Sequence, residues 1–237
     1  MTSTKLRPPL PAHASRESPS PPEGGEGKTY AVKECFLTLQ GEGMQAGSRA
    51  VFLRFAGCNL WSGREADRAT AQCRFCDTDF VGTDGQGGGK FASAEDLAVR
   101  VERLWGEGAE HRLVVVTGGE PMLQLDTPLV DALHGRGFRV AVESNGTLPA
   151  VGGLDWLCVS PKAGTDVVQR RGDELKLVWP QEGIDPAELE TWDFDHFLVQ
   201  PMDCDERDAA TAAAIRLAME RPKWRLTLQA HKVVGLP

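Results

Sequence analysis

From residue 111 onward the sequence repeats one pattern, a short apolar run of strand character that ends in glycines and polar side chains. Residues 111–116 lead into Thr117-Gly118-Gly119-Glu120-Pro121, 138–142 into Glu143-Ser144-Asn145-Gly146, and 156–159 into Ser160-Pro161-Lys162. After a further run at 174–179, residues 196–199 lead into Gln200-Pro201-Met202-Asp203, and 224–228 into Gln229-Ala230-His231-Lys232. Runs that are apolar at consecutive positions belong in a sheet covered on both faces, which is the parallel kind. Polar residues gathered at strand C-termini put the chemistry at one mouth of a barrel-like sheet. At 237 residues the chain is too short for eight strand–helix units, and the interval 160–173 shows no amphipathic period that would supply a helix. The expectation is an α/β fold, an abbreviated partial (βα) barrel of about six parallel strands.

An earlier apolar run, residues 50–55, delivers the chain to a stretch that holds three of its six cysteines, Cys58, Cys73 and Cys76. Fourteen residues separate the first two and only two separate the last pair. A Cys-x-x-Cys turn lets two thiolates converge on one metal centre, and a third brought in by a loop leaves one coordination position without a cysteine. Three readings stay open on the cysteines alone: a four-iron cluster with one open iron, a zinc knuckle with a distant fourth ligand such as His111, or an isolated redox pair. Cys35, Cys158 and Cys204 stand apart in apolar or strand-like surroundings and read as small hydrophobes.

Residues 1–28 hold six prolines, three glycines and four serines, with almost nothing apolar to bury. They read as a disordered leader or a non-native extension, and residues 29–237 as one catalytic domain. A net charge of −8 argues against nucleic-acid binding by phosphate neutralisation and favours a small-molecule substrate. No run of about 18 apolar residues exists to span a membrane, so a cytoplasmic location is expected.

Further features belong to the same mouth. The strand-like run 30–39 breaks at Gln40-Gly41-Glu42-Gly43, either a plain turn or a recognition element for a ring edge rich in hydrogen-bond donors and acceptors. Arg54 interrupts an apolar strand, where it either pairs with a structural carboxylate or meets an anionic ligand. The glycine-rich stretch 82–90 is a mobile loop near the cysteines or a linker. Ser93 caps a helix with Leu97, Val101, Leu104 and Trp105 on one face; a second helix begins near Pro128, and a last one covers 205–220 with Ile215, Leu217 and Met219. The tail from Val233 to Pro237 is apolar, which suggests that it packs back over the mouth and aims the Pro237 carboxylate inward, or merely covers an apolar patch.

The aromatic Phe75 just before Cys76, together with the downstream Gly-Gly-Glu-Pro, resembles the radical S-adenosylmethionine (SAM) superfamily. Its usual Cys-x3-Cys-x2-Cys spacing is enlarged here to Cys-x14-Cys-x2-Cys. With Thr38-Leu39-Gln40-Gly41-Glu42-Gly43 upstream and Cys76-Asp77-Thr78 at the end, the chain looks like a 7-carboxy-7-deazaguanine synthase over residues 30–237. The resemblance implies a [4Fe-4S] cluster on Cys58, Cys73 and Cys76, SAM as second cofactor, and Mg2+ at Thr78, whose bland alternative is a helix-capping threonine. It places Phe75, Asp77, Gly119, Glu120, Glu143, Ser144, Ser160, Lys162, Gln200 and Asp203 on the SAM side. Leu39, Gln40, Gly41, Glu42, Arg54, Thr117, His231 and Pro237 would face the substrate. The implied reaction turns 6-carboxy-5,6,7,8-tetrahydropterin into 7-carboxy-7-deazaguanine with loss of ammonia, by hydrogen abstraction and ring contraction, on the route to queuosine. A flavodoxin or ferredoxin would supply electrons, and a homodimer is an open possibility. The rivals are an activase of a glycyl-radical enzyme and a non-enzymatic metal-binding module.

Overall fold

The computed structural model describes residues 28–236, so the leader and Pro237 lie outside the described residues. Fourteen elements follow in chain order: β1 (Tyr30–Leu39), β2 (Arg49–Phe55), β3 (Gly89–Phe91), α1 (Ala94–Trp105), β4 (Leu113–Gly118), α2 (Thr127–His134), β5 (Arg139–Ser144), β6 (Trp156–Val159), β7 (Arg171–Trp179), α3 (Pro186–Leu189), β8 (Asp193–Pro201), α4 (Arg207–Glu220), β9 (Trp224–Leu226) and α5 (Ala230–Val234). They build one sheet in the order β3-β1-β2-β4-β5-β6-β7-β8-β9. β1 runs antiparallel to β2 and β3, and every pairing from β2 through β9 is parallel. The sheet stays open, with β3 and β9 as its edges. The expected partial barrel is present, with the three-residue β9 as its shortest parallel strand.

Alternation along each strand divides core from cavity. On β7, Leu175 and Leu177 pack into the main apolar cluster under the helices, while Glu174 and Lys176 point to the other face. The inner face is apolar low down, where Ala50, Leu113, Val115 and Ala141 meet Phe52 and Trp156. Toward the strand C-termini it turns polar, because the parallel register puts Arg54 beside Thr117 and Val178 beside Gln200. Between β6 and β7 no helix forms, as the missing amphipathic period implies. Among the described residues no helix is long and apolar enough to cross a membrane.

Four expectations change. β5 extends through Ser144, so Glu143 and Ser144 are strand residues and not loop residues. The glycine-rich stretch is no linker: Gln86 O accepts from Cys35 N at 2.7 Å, and β3 pairs with β1. Its glycines allow that approach, since a Cβ on Gly87 or Gly88 would sit 2.3 or 2.2 Å from the carbonyl oxygens of Cys35 and Lys33. In α4 the buried face is Ala210, Ala214 and Leu217, spaced by four and three, whereas Ile215 and Met219 fall on the exposed side. The apolar tail does not pack back: Val233 and Val234 are 81% and 66% exposed on α5. The inward Pro237 carboxylate lies outside the described residues.

α1 and α2 begin as their caps dictate. Ser93 Oγ accepts from Asp96 N, and Asp126 Oδ1 accepts from Leu129 N at 3.2 Å with Pro128 in the first turn. Asp126 also accepts from the Tyr30 hydroxyl at 2.7 Å and pairs with Lys28 at 3.0 Å, which ties the start of β1 to α2. Asp126→Ala removes a cap and leaves the hydroxyl of the buried Tyr30 without its acceptor. A loss of about 2–4 kcal/mol is expected from those two effects, read as a lowered urea midpoint at unchanged slope.

Candidate active site

Cys58 is positioned by the end of β2. Glu120 N donates to Gly57 O at 3.0 Å, and Gly57 N to Phe80 O at 3.0 Å. Between them β4 comes so close that a Cβ on Gly119 would lie 2.3 Å from Gly57 O and 2.5 Å from the Cβ of Cys58. Only glycine permits this contact. The fourteen-residue excursion that follows packs on itself. It returns through Gln72 N donating to Leu60 O, Trp61 packs edge-on against Phe80, and Arg68 lies 4.1 Å over the Trp61 ring. Arg68 Nη1 then donates to the carbonyls of Arg74 and Cys76, at 2.8 and 3.2 Å, and so shapes the turn that carries the last two cysteines.

All three thiols line one cavity of about 410 Å3, within the range of small-molecule sites. The hydrogen bond between Cys73 and Cys76 holds the Cys76 thiol down to about 6 and pushes Cys73 up. Burial raises Cys58. Among the described residues no three Cys, His, Asp or Glu side chains gather tightly enough to ligate a single ion. A cubane cluster, whose thiolates bind different irons, does not require that. His111 cannot serve as the fourth ligand of a knuckle, because it lies just before β4, at the end of that strand opposite the cysteines. Cys35 and Cys158 are buried apart from the trio, and Cys158 is more than a small hydrophobe, with its Sγ 3.5 Å from Glu174 Oε1. Cys204 is partly exposed, in the turn after β8.

Around the thiols the cavity is lined by Phe75, Asp77, Thr78, Gly119, Ser144, Ser160, Lys162, Gln200 and Asp203. Lys162 Nζ donates to the carbonyl and hydroxyl oxygens of Ser160, both at 2.7 Å, and stands 5.9 Å above the Phe75 ring; burial lowers its pKa. Gln200 Oε1 is buried with no partner. An orphaned acceptor at a cavity wall is costly unless a ligand satisfies it, so this wall fits a donor-bearing cofactor such as SAM. Glu120 does not line the cavity. Its carboxylate accepts from Met122 N, Asn145 N and the Ser144 hydroxyl at 2.8–2.9 Å, so it braces the strand ends from beneath.

Leu39, Gln40, Gly41, Glu42, Arg54, Thr117 and His231 line the same cavity, and Glu143, expected on the SAM side, meets Gln40 and Lys176 there. Arg54 Nε donates to Glu34 at 2.7 Å, so it has a structural partner and also reaches the cavity. His231 lies against Gly41, where a Cβ would sit 2.2 Å from its ring, and Ala230 N donates to Gly41 O. Lys176 was missed in the sequence, and Gln229 and Lys232 were seen there only as strand-end polar residues without an assigned role. Lys176 is 4% exposed and bonds Glu42 and Glu143; a lysine inside an apolar strand was the available signal. Gln229 Nε2 bridges Glu42 and Asp77, and Lys232 Nζ pairs with Asp77 and Asp203 at 2.5 Å each. Their place at a strand end was legible in the sequence, and their partners were not.

An open parallel sheet with a thiol trio, a glycine-lined strand end and an orphaned acceptor at one mouth defines a radical SAM enzyme, and residues 67–174 match the radical SAM superfamily. The match takes in Cys73 and Cys76 but begins past Cys58, inside the enlarged loop. The chain belongs to the 7-carboxy-7-deazaguanine synthase family. It is 62% identical over 209 residues to the 7-carboxy-7-deazaguanine synthase of Caulobacter vibrioides, covering 88% of this chain and 100% of that protein. It is 59% identical over 209 residues to that of Burkholderia multivorans, with the same coverage. The crystal structure of QueE from Escherichia coli superposes with a TM-score of 0.66 at 29% identity, covering 86% of this chain and 95% of that one.

Gly119→Ala is expected to push Cys58 out of the cavity and cut the iron retained after anaerobic reconstitution to well under half of wild type, with the fold intact by circular dichroism. Full iron loading would show that β4 yields where the contact distances say that it cannot.

Proposed function

We propose that this chain converts 6-carboxy-5,6,7,8-tetrahydropterin into 7-carboxy-7-deazaguanine with loss of ammonia. The observation that carries the reading is the single cavity in which three thiols meet a wall of paired acceptors and donors, Gln40, Glu42 and Glu143. A cluster on Cys58, Cys73 and Cys76, with SAM on the Phe75, Lys162 and Gln200 side, supplies one-electron chemistry able to remove a hydrogen atom from an unactivated carbon. The chain's own part is to bind and orient. Gln40 and Glu42 offer acceptors to the donor-rich edge of a pterin, and charge-assisted bonds of that kind are roughly twice as strong as neutral ones. Arg54 keeps N–H groups beyond the one given to Glu34, a fork suited to the substrate carboxylate. The walls hold one C–H bond in place and exclude water and competing hydrogen donors.

Thr78 lines the cavity two residues past Cys76. Its hydroxyl is proposed as an Mg2+ ligand, with substrate oxygens and waters completing the shell. A flavodoxin or ferredoxin is proposed as electron donor. Glu120, first expected to touch SAM, is assigned instead to bracing Ser144 and Asn145.

The test is anaerobic reconstitution, iron and sulfide analysis, and turnover of the carboxylated pterin. Near four irons per chain, release of ammonia and formation of the deazaguanine are expected. SAM cleavage without any pterin conversion would sink the substrate assignment and favour an activase. Thr78→Ala is expected to lower turnover at least tenfold while sparing uncoupled SAM cleavage, and to abolish the response to Mg2+. An unchanged response would remove the metal from that position.

A further inference from the structure

Lys176 has no part in the reading above, yet its surroundings are unusual. It sits on the inner face of β7, 4% exposed, with its ammonium between two carboxylates that come from different elements. Glu42 arrives from the turn after β1 and Glu143 from β5, 3.1 Å away. Each carboxylate has one further neutral donor: Gln229 Nε2 at 3.0 Å on Glu42, and Gln40 Nε2 at 2.8 Å on Glu143. The cavity therefore holds two acids and one base in contact.

Two carboxylates cannot both stay ionised in a poorly solvated pocket without a counter-charge, because burial and mutual repulsion each favour protonation of one of them. The other charged groups facing this spot do not replace Lys176. Glu174, on the same strand, adds negative charge and is held by Met44 N at 3.0 Å and the Trp156 indole. Cys158 on β6 is a thiol beside Glu174. Lys162 is turned to Ser160, and His231 lies against Gly41. Lys176 itself is held in its charged form, which makes it a fixed charge and a poor proton donor.

We propose that Lys176 is a positioning residue, the cation in contact with both Glu42 and Glu143 that lets them stand in the same pocket as two carboxylates, each free to accept from a donor-bearing ligand. The geometry of β7 supports this further. Lys176 grips Glu42, and Glu174, two residues earlier on the same face, grips the neighbouring Met44 amide. A Cβ on the intervening Gly43 would lie 2.3 Å from Glu174 Oε1. The turn that presents Glu42 is thus pinned from one strand on two successive inward positions.

The inference rests on the pterin reading for the identity of the ligand, and its test separates the two. In full-length, cluster-reconstituted protein, Lys176→Met replaces the ammonium by an apolar side chain of similar length. Infrared difference spectra of the ligand-free protein, taken across pH 6–9, are expected to show the band of a protonated buried carboxyl in Lys176→Met at neutral pH and none in wild type. Pterin affinity, as the ratio of variant to wild type so that the ligand's own titration cancels, is expected to be at least tenfold weaker at pH 6 and to recover as pH rises. The sign follows because protonation below the raised carboxyl pKa removes an acceptor, and ionisation above it restores one. In the double variant Lys176→Met with Glu143→Gln the ratio is expected to become independent of pH. A pH-independent loss in the single variant, or no carboxyl band, overturns the proposal. Failure of the wild type to take up pterin would instead overturn the substrate assignment, while the infrared comparison still decides the role of Lys176.

Discussion

The contact on which the site depends is the approach of β4 to the end of β2, where Glu120 N bonds Gly57 O and Gly119 presents no side chain to Cys58. It fixes the first thiol relative to the strand ends that form the rest of the cavity. Glu120 extends the same tie sideways, since its carboxylate, buried beneath the site, holds the Ser144 hydroxyl and the Asn145 amide at the end of β5. Burial pushes that carboxyl up, and the three donors offset part of the cost. Three consecutive parallel strands are in this way locked at their C-terminal ends, which is where a parallel α/β sheet places its ligands.

The sheet separates two solvents. Its outer face is a continuous apolar core under α1, α2 and α4, and its inner face passes from apolar at the bottom to charged at the mouth. The mouth is closed laterally by short segments that meet through polar bonds. The 40–44 turn is held by Thr227 Oγ1 and Glu174, and the C-terminal segment by Lys232 bridging Asp77 and Asp203. Those bridges are partly exposed and individually weak, so they orient side chains more than they stabilise the fold.

Most of the architecture was legible because parallel strands leave a strong trace: consecutive apolar positions, polar ends, and an interval too featureless for a helix. The cavity's members on strand ends were legible for the same reason. What the sequence concealed was contact between distant elements. The family resemblance placed Glu120 on the SAM side, and only the fold shows its carboxylate turned to Met122, Ser144 and Asn145. Lys176 was passed over because a single lysine does not disturb a strand's apolar rhythm, although its neighbours in space are two acids more than thirty residues away. The tail misled in the opposite way, since apolar composition suggested burial where α5 leaves Val233 and Val234 exposed.

The loop between Cys58 and Cys73 closes on its own contacts: Gln72 returns to Leu60, and Arg68 stacks on Trp61 while holding the carbonyls of Arg74 and Cys76. Because both ends are fastened close together, the entropy of closing the loop grows only slowly with its length, and the distance between the thiols does not follow from the number of residues between them. Cysteine spacing is then a poor ruler for recognising relatives of this chain. A longer or shorter excursion at that point changes the closing entropy little, so a signature written with a fixed interval tests the loop's length and not the site it closes.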